Sequence, residues 1–303
     1  MSGGCPQGVV ASLGTMALTR ASARNLADEV DALIEKHLAA AGPAHPPAVS
    51  VWLGSPHGRA AYTRDDEAVH YAASTMKLPL LVAAYRLAER GRLDLDTEVV
   101  VHNSFRSAYD GSVFSLRQED DQDDDTWARI GQTAVLRTLA RHAVVRSGNL
   151  ATNLLLERVG PGEVASVLAD AGCSPRTTLP RGIEDSAARE AGLDNLVTAA
   201  DLARVLGAVA ERRLAGAETC SEIERVLAAQ EHRDQVPAGL PEGTYVANKS
   251  GWVDGVAHDV ALVRPTERPP YVLAVCTTAD APEAVLYGLA AEISAAAWAW
   301  WTT

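Results

Sequence analysis

Three short stretches hold residues whose types could act together on a carbonyl: Ser74-Thr75-Met76-Lys77, Ser147-Gly148-Asn149 and Lys249-Ser250-Gly251. In the first, a spacing of three on a helix sets a hydroxyl and an amine on one face, about 5–6 Å apart at Cβ. That is the placement of a nucleophile beside its base. If Ser74 opens the helix, its own N–H points out of the N-terminus, where an anion is stabilised. Pro79 is tolerated only in a first turn, which sets the helix start near Ser74. Leu78, Leu80, Leu81, Ala84 and Leu87 make that helix apolar on most sides. A buried lysine is pushed toward its neutral form, the form a general base needs. Alone the pattern is weak: with three lysines and 17 serines in 303 residues, chance supplies it about one time in six.

Lysine usage sharpens it. Of 27 basic side chains only Lys36, Lys77 and Lys249 are lysines, the rest being arginines. Arginine cannot give up its proton, so a retained lysine marks a position where a titratable amine is wanted. Lys36, between Glu35 and His37, reads as a solvated helix residue. Lys249 and Gly251 alternate in strand-like sequence, where a glycine marks close approach of another backbone or a ligand. A plain turn at Asn248–Gly251 is the competing reading, and the strand-like flanks "TYVA" and "HDVALV" oppose it. Ser147 and Asn149 precede a helix starting near Asn149, and serve equally well as helix caps.

The elements that must position these residues follow from periodicity. Leu26, Val30, Leu33, Ile34 and Leu38 recur at helical spacing between Arg24 and Ala41. "AVSVWLG" and "RAAYTR" read as strands of a hairpin turning at Ser55–Gly58. Residues 75–230, rich in Leu, Ala and Arg, read mostly as helices. "TYVANKSG", "HDVALVRP" and "YVLAVCTT" add three strands, and a long helix from Pro282 closes the chain, with Trp298, Trp300 and Trp301 packing it on the sheet. Strands at both ends with helices between predict an α+β chain with one antiparallel five-stranded sheet assembled from the two termini. The first and last helices flank that sheet and an all-α domain lies beside it. The expected boundaries are 1–23 as a flexible lead, 24–73 and 231–303 as the sheet domain, and 74–230 as the helical domain, forming one catalytic unit.

S-x-x-K, S-x-N and K-[ST]-G in that order resemble the signature of class A β-lactamases and penicillin-binding proteins. The likeness extends over nearly the whole chain, and it is closest to class A-like serine hydrolases of actinobacterial type, through "RGIED" and "GWVDGVAHD". The resemblance implies a β-lactamase/transpeptidase-like fold and a role for each residue. Ser74 would be acylated and Lys77 would take its proton. Ser147 would pass a proton to the leaving group, with Lys249 beside it. Asn149 would bind the substrate's side-chain amide, and Lys249 and Ser250 its carboxylate. Gly251 would leave room along the strand. The N–H groups of Ser74 and Trp252 would form the oxyanion hole.

Three departures stand out. The family's Ω-loop carries a deacylating glutamate in an E-x-x-L-N pattern; here Glu184 and Asp185 lie in the corresponding stretch without that Leu-Asn. Glu184 is the candidate base, and loop structure through pairing with Arg181 is the alternative. Gly148 stands where β-lactamases usually have Asp, a residue of mainly structural use. The segment 104–125, acidic at every position from Glu119 to Asp125 except Gln122, is read as a solvated loop or as a rim beside the site. Phe105, Tyr109 and Trp127 are its candidates for an aromatic gate.

A net charge of -12 disfavours nucleic acid and anionic membrane as partners. No apolar run approaches a membrane span. The first 20 residues lack a basic n-region and a clear cleavage site, so the chain as written is expected in the cytoplasm, or secreted if the start codon is misassigned. Cys5, Cys173, Cys220 and Cys276 form no C-x-x-C pair, and the histidines show no paired ligand spacing, so no metal or cofactor is expected. The expected partner is a small molecule and the expected state a monomer. The reading is a serine hydrolase forming an acyl-enzyme on Ser74 with a β-lactam or related amide or ester. The alternatives are a peptidase, esterase or acyl-transfer enzyme acting on a metabolite or D-amino-acid peptide, with weak β-lactamase activity or none, and a non-catalytic β-lactam-binding module.

Overall fold

The computed structural model describes residues 20–42 and 46–303; residues 1–19, most of the expected flexible lead, lie outside the described residues. Helix α1 (Arg20–Leu38) is followed by strands β1 (Ala48–Gly54) and β2 (Ala60–Arg64). The helical part contains α2 (Lys77–Glu89), α3 (Leu136–Val145), α4 (Asn149–Val159), α5 (Pro161–Asp170), α6 (Ala199–Ala210) and α7 (Ala217–Ala228). Strands β3 (Tyr245–Val253), β4 (Val256–Arg264) and β5 (Tyr271–Thr278) and helix α8 (Glu283–Thr302) complete the chain. No described helix is long and apolar enough to cross a membrane.

The five strands form one antiparallel sheet in the order β2-β1-β5-β4-β3. Its core strands are buried on both faces, so they read as continuous apolar runs rather than as an alternation. The period of two still sorts the faces. Val49, Val51, Leu53, Ala261, Val263, Leu273 and Val275 pack with Leu26, Val30, Leu286, Leu289 and Ile293 of the terminal helices. Trp52, Val260, Leu262, Val272, Ala274 and Cys276 join the helical core around Leu78, Leu81 and Leu206. Helices α1 and α8 also meet each other, with Lys36 paired to Glu292 at 2.7 Å.

The stretch 75–230 is mostly helical, but it also holds short ladders: Glu98–Val100 with Thr133–Val135, and Phe105–Arg106 with Val113–Phe114. A third joins His70–Tyr71 to Leu196–Val197 and ties the segment before Ser74 to the helical domain. Two or three residues per strand are too few to show a period in sequence.

Candidate active site

Ser74 sits in a 3₁₀ turn, Ala73–Met76, whose axis runs straight into α2. Lys77, rather than Ser74, is the first residue of that helix, yet the right-handed turn keeps the two side chains on one side. The turn is driven against β3: a Cβ on Gly251 would lie 2.7 Å from the backbone nitrogens of both Ser74 and Thr75. Glycine is needed here so that the strand can approach the nucleophile's own backbone. The room expected for a substrate at this position is therefore filled by the turn that carries Ser74.

The Lys77 side chain is buried, and its amine donates to Ser147 O at 2.6 Å and Asn149 Oδ1 at 2.8 Å, with Ser147 Oγ at 3.3 Å. Lys249, also buried, donates to the same Ser147 Oγ at 3.2 Å and to Ser250 O at 2.6 Å. One hydroxyl thus lies between two amines. Desolvation first, and then the like charge of Lys249, drive the Lys77 amine well below the usual lysine range, against the pull of Asp121. Desolvation alone brings Lys249 down to about 7, with Asp259 opposing. A neutral amine has two N–H groups and one lone pair. At Lys77 the two short bonds use the N–H groups, which leaves the lone pair for a hydroxyl proton.

Ser147 does not cap α4. Its backbone is left-handed, φ +59°, and α4 begins after Gly148 with no side-chain cap from that residue. Ala73 (φ +44°) and Glu184 (φ +61°) share this unfavourable region, so three of the five non-glycine residues of positive φ among those described flank the same cleft. Such strain, of order 1–3 kcal/mol each, persists only where the surroundings enforce it.

The cleft has a volume of about 950 Å³, and its wall includes Ser74, Ser147, Asn149, Glu184 and Trp252. Lys249, Ser250 and Gly251 stand behind that wall, and the buried Ser250 hydroxyl has no hydrogen-bond partner. Trp252 is half-buried, its ring 4.7 Å from that of His232. Among the aromatic residues of the 104–125 segment it is Phe114 that reaches the wall, together with polar residues of the same segment such as Arg117, Asp120 and Gln122. Phe105 is buried beneath it and Tyr109 points to solvent, while the Trp127 indole is engaged at 2.7 Å by Asp121.

Glu184 lies on a loop closed at its neck. Arg181 binds Asp194 at 2.5 Å, and the Asn195 side chain bonds both the N–H and the C=O of Arg181. This is an Ω-loop, a compact excursion whose ends meet. Arg181 therefore pairs across the neck and not with Glu184 or Asp185. Asp185 caps the helical turn Ser186–Glu190 and accepts the Ala108 N–H at 2.7 Å, tying the loop to the acidic segment. Asn153 of α4 grips Ile183 through both backbone groups, at 3.0 and 2.8 Å, and so sets the residue before Glu184. Its place four after Asn149, on the same helix face, was the signal in the sequence. Glu184 Oε2 accepts the Arg117 N–H at 3.1 Å, while Oε1 is buried and unpartnered. Burial raises its carboxyl above the usual range, with the Arg117 N–H opposing.

Gly148 has a steric reason. A Cβ there would meet Asp123 Cβ at 2.8 Å and Oδ2 at 3.0 Å. Asp123 is buried and accepts from Thr126, from His142 at 3.0 Å and from Arg146 at 3.0 Å. Burial opposes ionisation, but those bonds outweigh it and hold the carboxyl down to about 2. A carboxylate from the acidic segment thus fills the space under the Ser147–Asn149 turn. Gly148→Ala is expected to cost about 1–3 kcal/mol, read from the denaturant midpoint. Asp123→Gly in the same chain should make the pair cost less than the sum of the two.

The profile of the beta-lactamase enzyme family matches residues 25–301. Among solved structures, the beta-lactamase from Sphaerobacter thermophilus is 25% identical, covering 91% of this chain and 97% of that one, at TM-score 0.75. The ancestral class A beta-lactamase of Gram-negative bacteria is 21% identical, with 91% and 98% covered, at TM-score 0.71. A PBP-A variant in an acyl-enzyme complex with penicillin G is 18% identical, with 91% and 96% covered, at TM-score 0.70. No curated protein matches the chain by sequence.

Proposed function

Because the chain belongs to the beta-lactamase enzyme family, we propose that its serine-hydrolase chemistry runs through an acyl-enzyme on Ser74, formed from a β-lactam or a related amide or ester. The observation that carries this reading is the Ser147 hydroxyl held between two buried amines, 3.3 Å from Lys77 and 3.2 Å from Lys249, on the wall of the cleft that also holds Ser74.

On this reading the roles are divided as follows. The Lys77 lone pair takes the Ser74 proton as Oγ attacks the carbonyl carbon. The backbone N–H groups of Ser74 and Trp252 receive the oxyanion, an arrangement worth about 3–4 kcal/mol per donor in acyl transfer. As the carbon–nitrogen or carbon–oxygen bond breaks, Ser147 gives its proton to the leaving atom and regains one from Lys77. While protonated, Lys249 favours the electron-rich Ser147 oxygen during that transfer. Asn149 uses Oδ1 on Lys77 and one amide hydrogen on Asp120 O, at 2.9 Å, leaving its second hydrogen for a substrate amide. Of the residues that the family resemblance implies for a substrate carboxylate, Ser250 keeps an unpartnered hydroxyl, buried behind the cleft wall. Glu184, a residue of the cleft wall whose Oε1 is buried and unpartnered, draws the proton from the water that releases the acyl group.

Incubation with a fluorescent penicillin, followed by intact-mass spectrometry, tests this. The expected record is one adduct on Ser74 that forms and then disappears, absent in Ser74→Ala. An adduct that never leaves means that Glu184 does not deacylate. No adduct, with an ester turnover that dies in Ser74→Ala, moves the substrate class away from β-lactams. An adduct or turnover that survives Ser74→Ala overturns the mechanism.

A further inference from the structure

The acidic segment is not a solvated loop along its whole length. Asp121 turns inward beneath the first turn of α4. Its Oδ1 accepts the Asn149 N–H at 2.8 Å, and its Oδ2 accepts the Leu150 N–H at 2.8 Å and the Trp127 indole at 2.7 Å. Oδ1 also takes the N–H of Gln122 at 2.7 Å and of Asp123 at 3.3 Å. The preceding residue completes the grip, Asp120 O accepting from Asn149 Nδ2 at 2.9 Å. Asn149 is thereby held at its backbone and at its amide, with Oδ1 left aimed at the Lys77 amine at 2.8 Å. A carboxylate at a helix N-terminus is favoured by the unpaired N–H groups and by the dipole. Here it arrives from 28 positions earlier in the chain, where Ser147, in its left-handed conformation, provides no cap of its own.

Resting on the acyl-enzyme reading above, we infer that Asp121 is a positioning residue for the Ser74–Lys77 pair: it fixes the Ser147–Asn149 turn on which the Lys77 amine rests and places a negative charge behind that turn. The charged groups that bear on the Lys77 amine are Lys249 from β3, which disfavours its protonated form, and Asp121, which favours it. Asp121 therefore limits how far desolvation can depress the amine. Burial first, then Asp120 and to a lesser degree Asp121, also oppose the ionisation of Glu184. Asp120 and Asp123 flank it in sequence, with Asp123 committed to Thr126, His142 and Arg146.

The chain suits a direct test, because only Lys36, Lys77 and Lys249 contribute signals to a protein labelled with ¹³Cε-lysine. The pH titration of the Lys77 signal, assigned through Lys77→Met, is compared between the unmodified protein and Asp121→Asn. Loss of an anionic neighbour destabilises the ammonium, so the Lys77 midpoint should fall by about one pH unit, while Lys36 stays in place. Asp121→Glu should hold the midpoint near that of the unmodified protein. Asp121→Ser keeps a capping hydroxyl at the helix end without the charge, and it gives the same reading if the Asn variant does not fold. In penicillin acylation, the acid limb of the rate profile should shift to lower pH together with the midpoint. A Lys77 midpoint that does not move in a folded Asn or Ser variant overturns the inference, whatever the protein does with penicillin. Failure of the unmodified protein to acylate, with the midpoint shift present, instead counts against the acyl-enzyme reading alone.

Discussion

Glu184→Gln is expected to leave acylation of Ser74 within about threefold and to lengthen the life of the adduct by about 10²–10³, the usual worth of one general base. The substitution is nearly isosteric, and a glutamine oxygen can still accept the Arg117 N–H that Glu184 holds at 3.1 Å. What it removes is the carboxylate proposed to take the proton, one oxygen of which, Oε1, is buried and unpartnered. Because burial raises this carboxyl, deacylation should weaken at mildly acidic pH, where Glu184 takes up its proton. Acylation, governed by the two lysines, should not follow the same curve. The measurement is a chase: label, remove free penicillin, and follow the adduct mass at several pH values. A Gln variant that sheds the adduct as fast as the unmodified protein removes Glu184 from the mechanism and leaves the Ω-loop as scaffold.

Lys77→Met should cut the rate of acylation by about 10³, since it removes the amine that the proposed mechanism assigns to the Ser74 proton. The side chain is unbranched and of similar length, and its site is fully desolvated, so the helix should remain in place. A stability signature accompanies the loss. Both buried amines have folded-state values below those of the unfolded chain, so between about pH 7 and 8.5 the unfolded chain binds protons that the folded chain has released. Stability therefore rises with pH across that window, and the rise should be shallower in Lys77→Met. Above it the half-buried thiol of Cys173 and the buried thiols of Cys220 and Cys276, held protonated by desolvation, act in the opposite sense. Denaturant titrations at three pH values report the slope. Unchanged acylation in the Met variant would assign the base to another group.

The candidate site residues at this cleft were legible in the sequence because each leaves a local trace. Ser74 and Lys77 stand at helical spacing, Ser147 and Asn149 at a helix start, and the two buried amines are conspicuous in a chain that otherwise uses arginine. The sheet was legible because strands with both faces covered read as apolar runs. What could not be read was the inward turn of single charged side chains. Asp121 and Asp123 sit in a run whose other acids, such as Glu119 and Asp125, face solvent, and no periodicity separates them. Gly148 looked like an exchange of no consequence; the cause lies 25 residues upstream, in a side chain that needs its space. The neck of the Ω-loop was missed for a similar reason. Arg181 had a nearer acid in sequence than Asp194, and only the closed loop brings the true partner across.

The order of strands in the sheet has a consequence for synthesis. Strand β1 emerges early from the ribosome, but its partner on one side is β5, where Ala48 faces Thr278. Ala48 and Thr278 stand 230 positions apart, and at translation rates of about 5–20 residues per second β1 waits roughly ten to fifty seconds for that neighbour. During the wait the β1–β2 hairpin carries an unpaired apolar edge, the feature that recruits other unfinished chains. Lys249 and the strand that presses on the Ser74 backbone arrive in the same late interval. A nascent chain therefore gains this candidate site only once β3, β4 and β5 have been made.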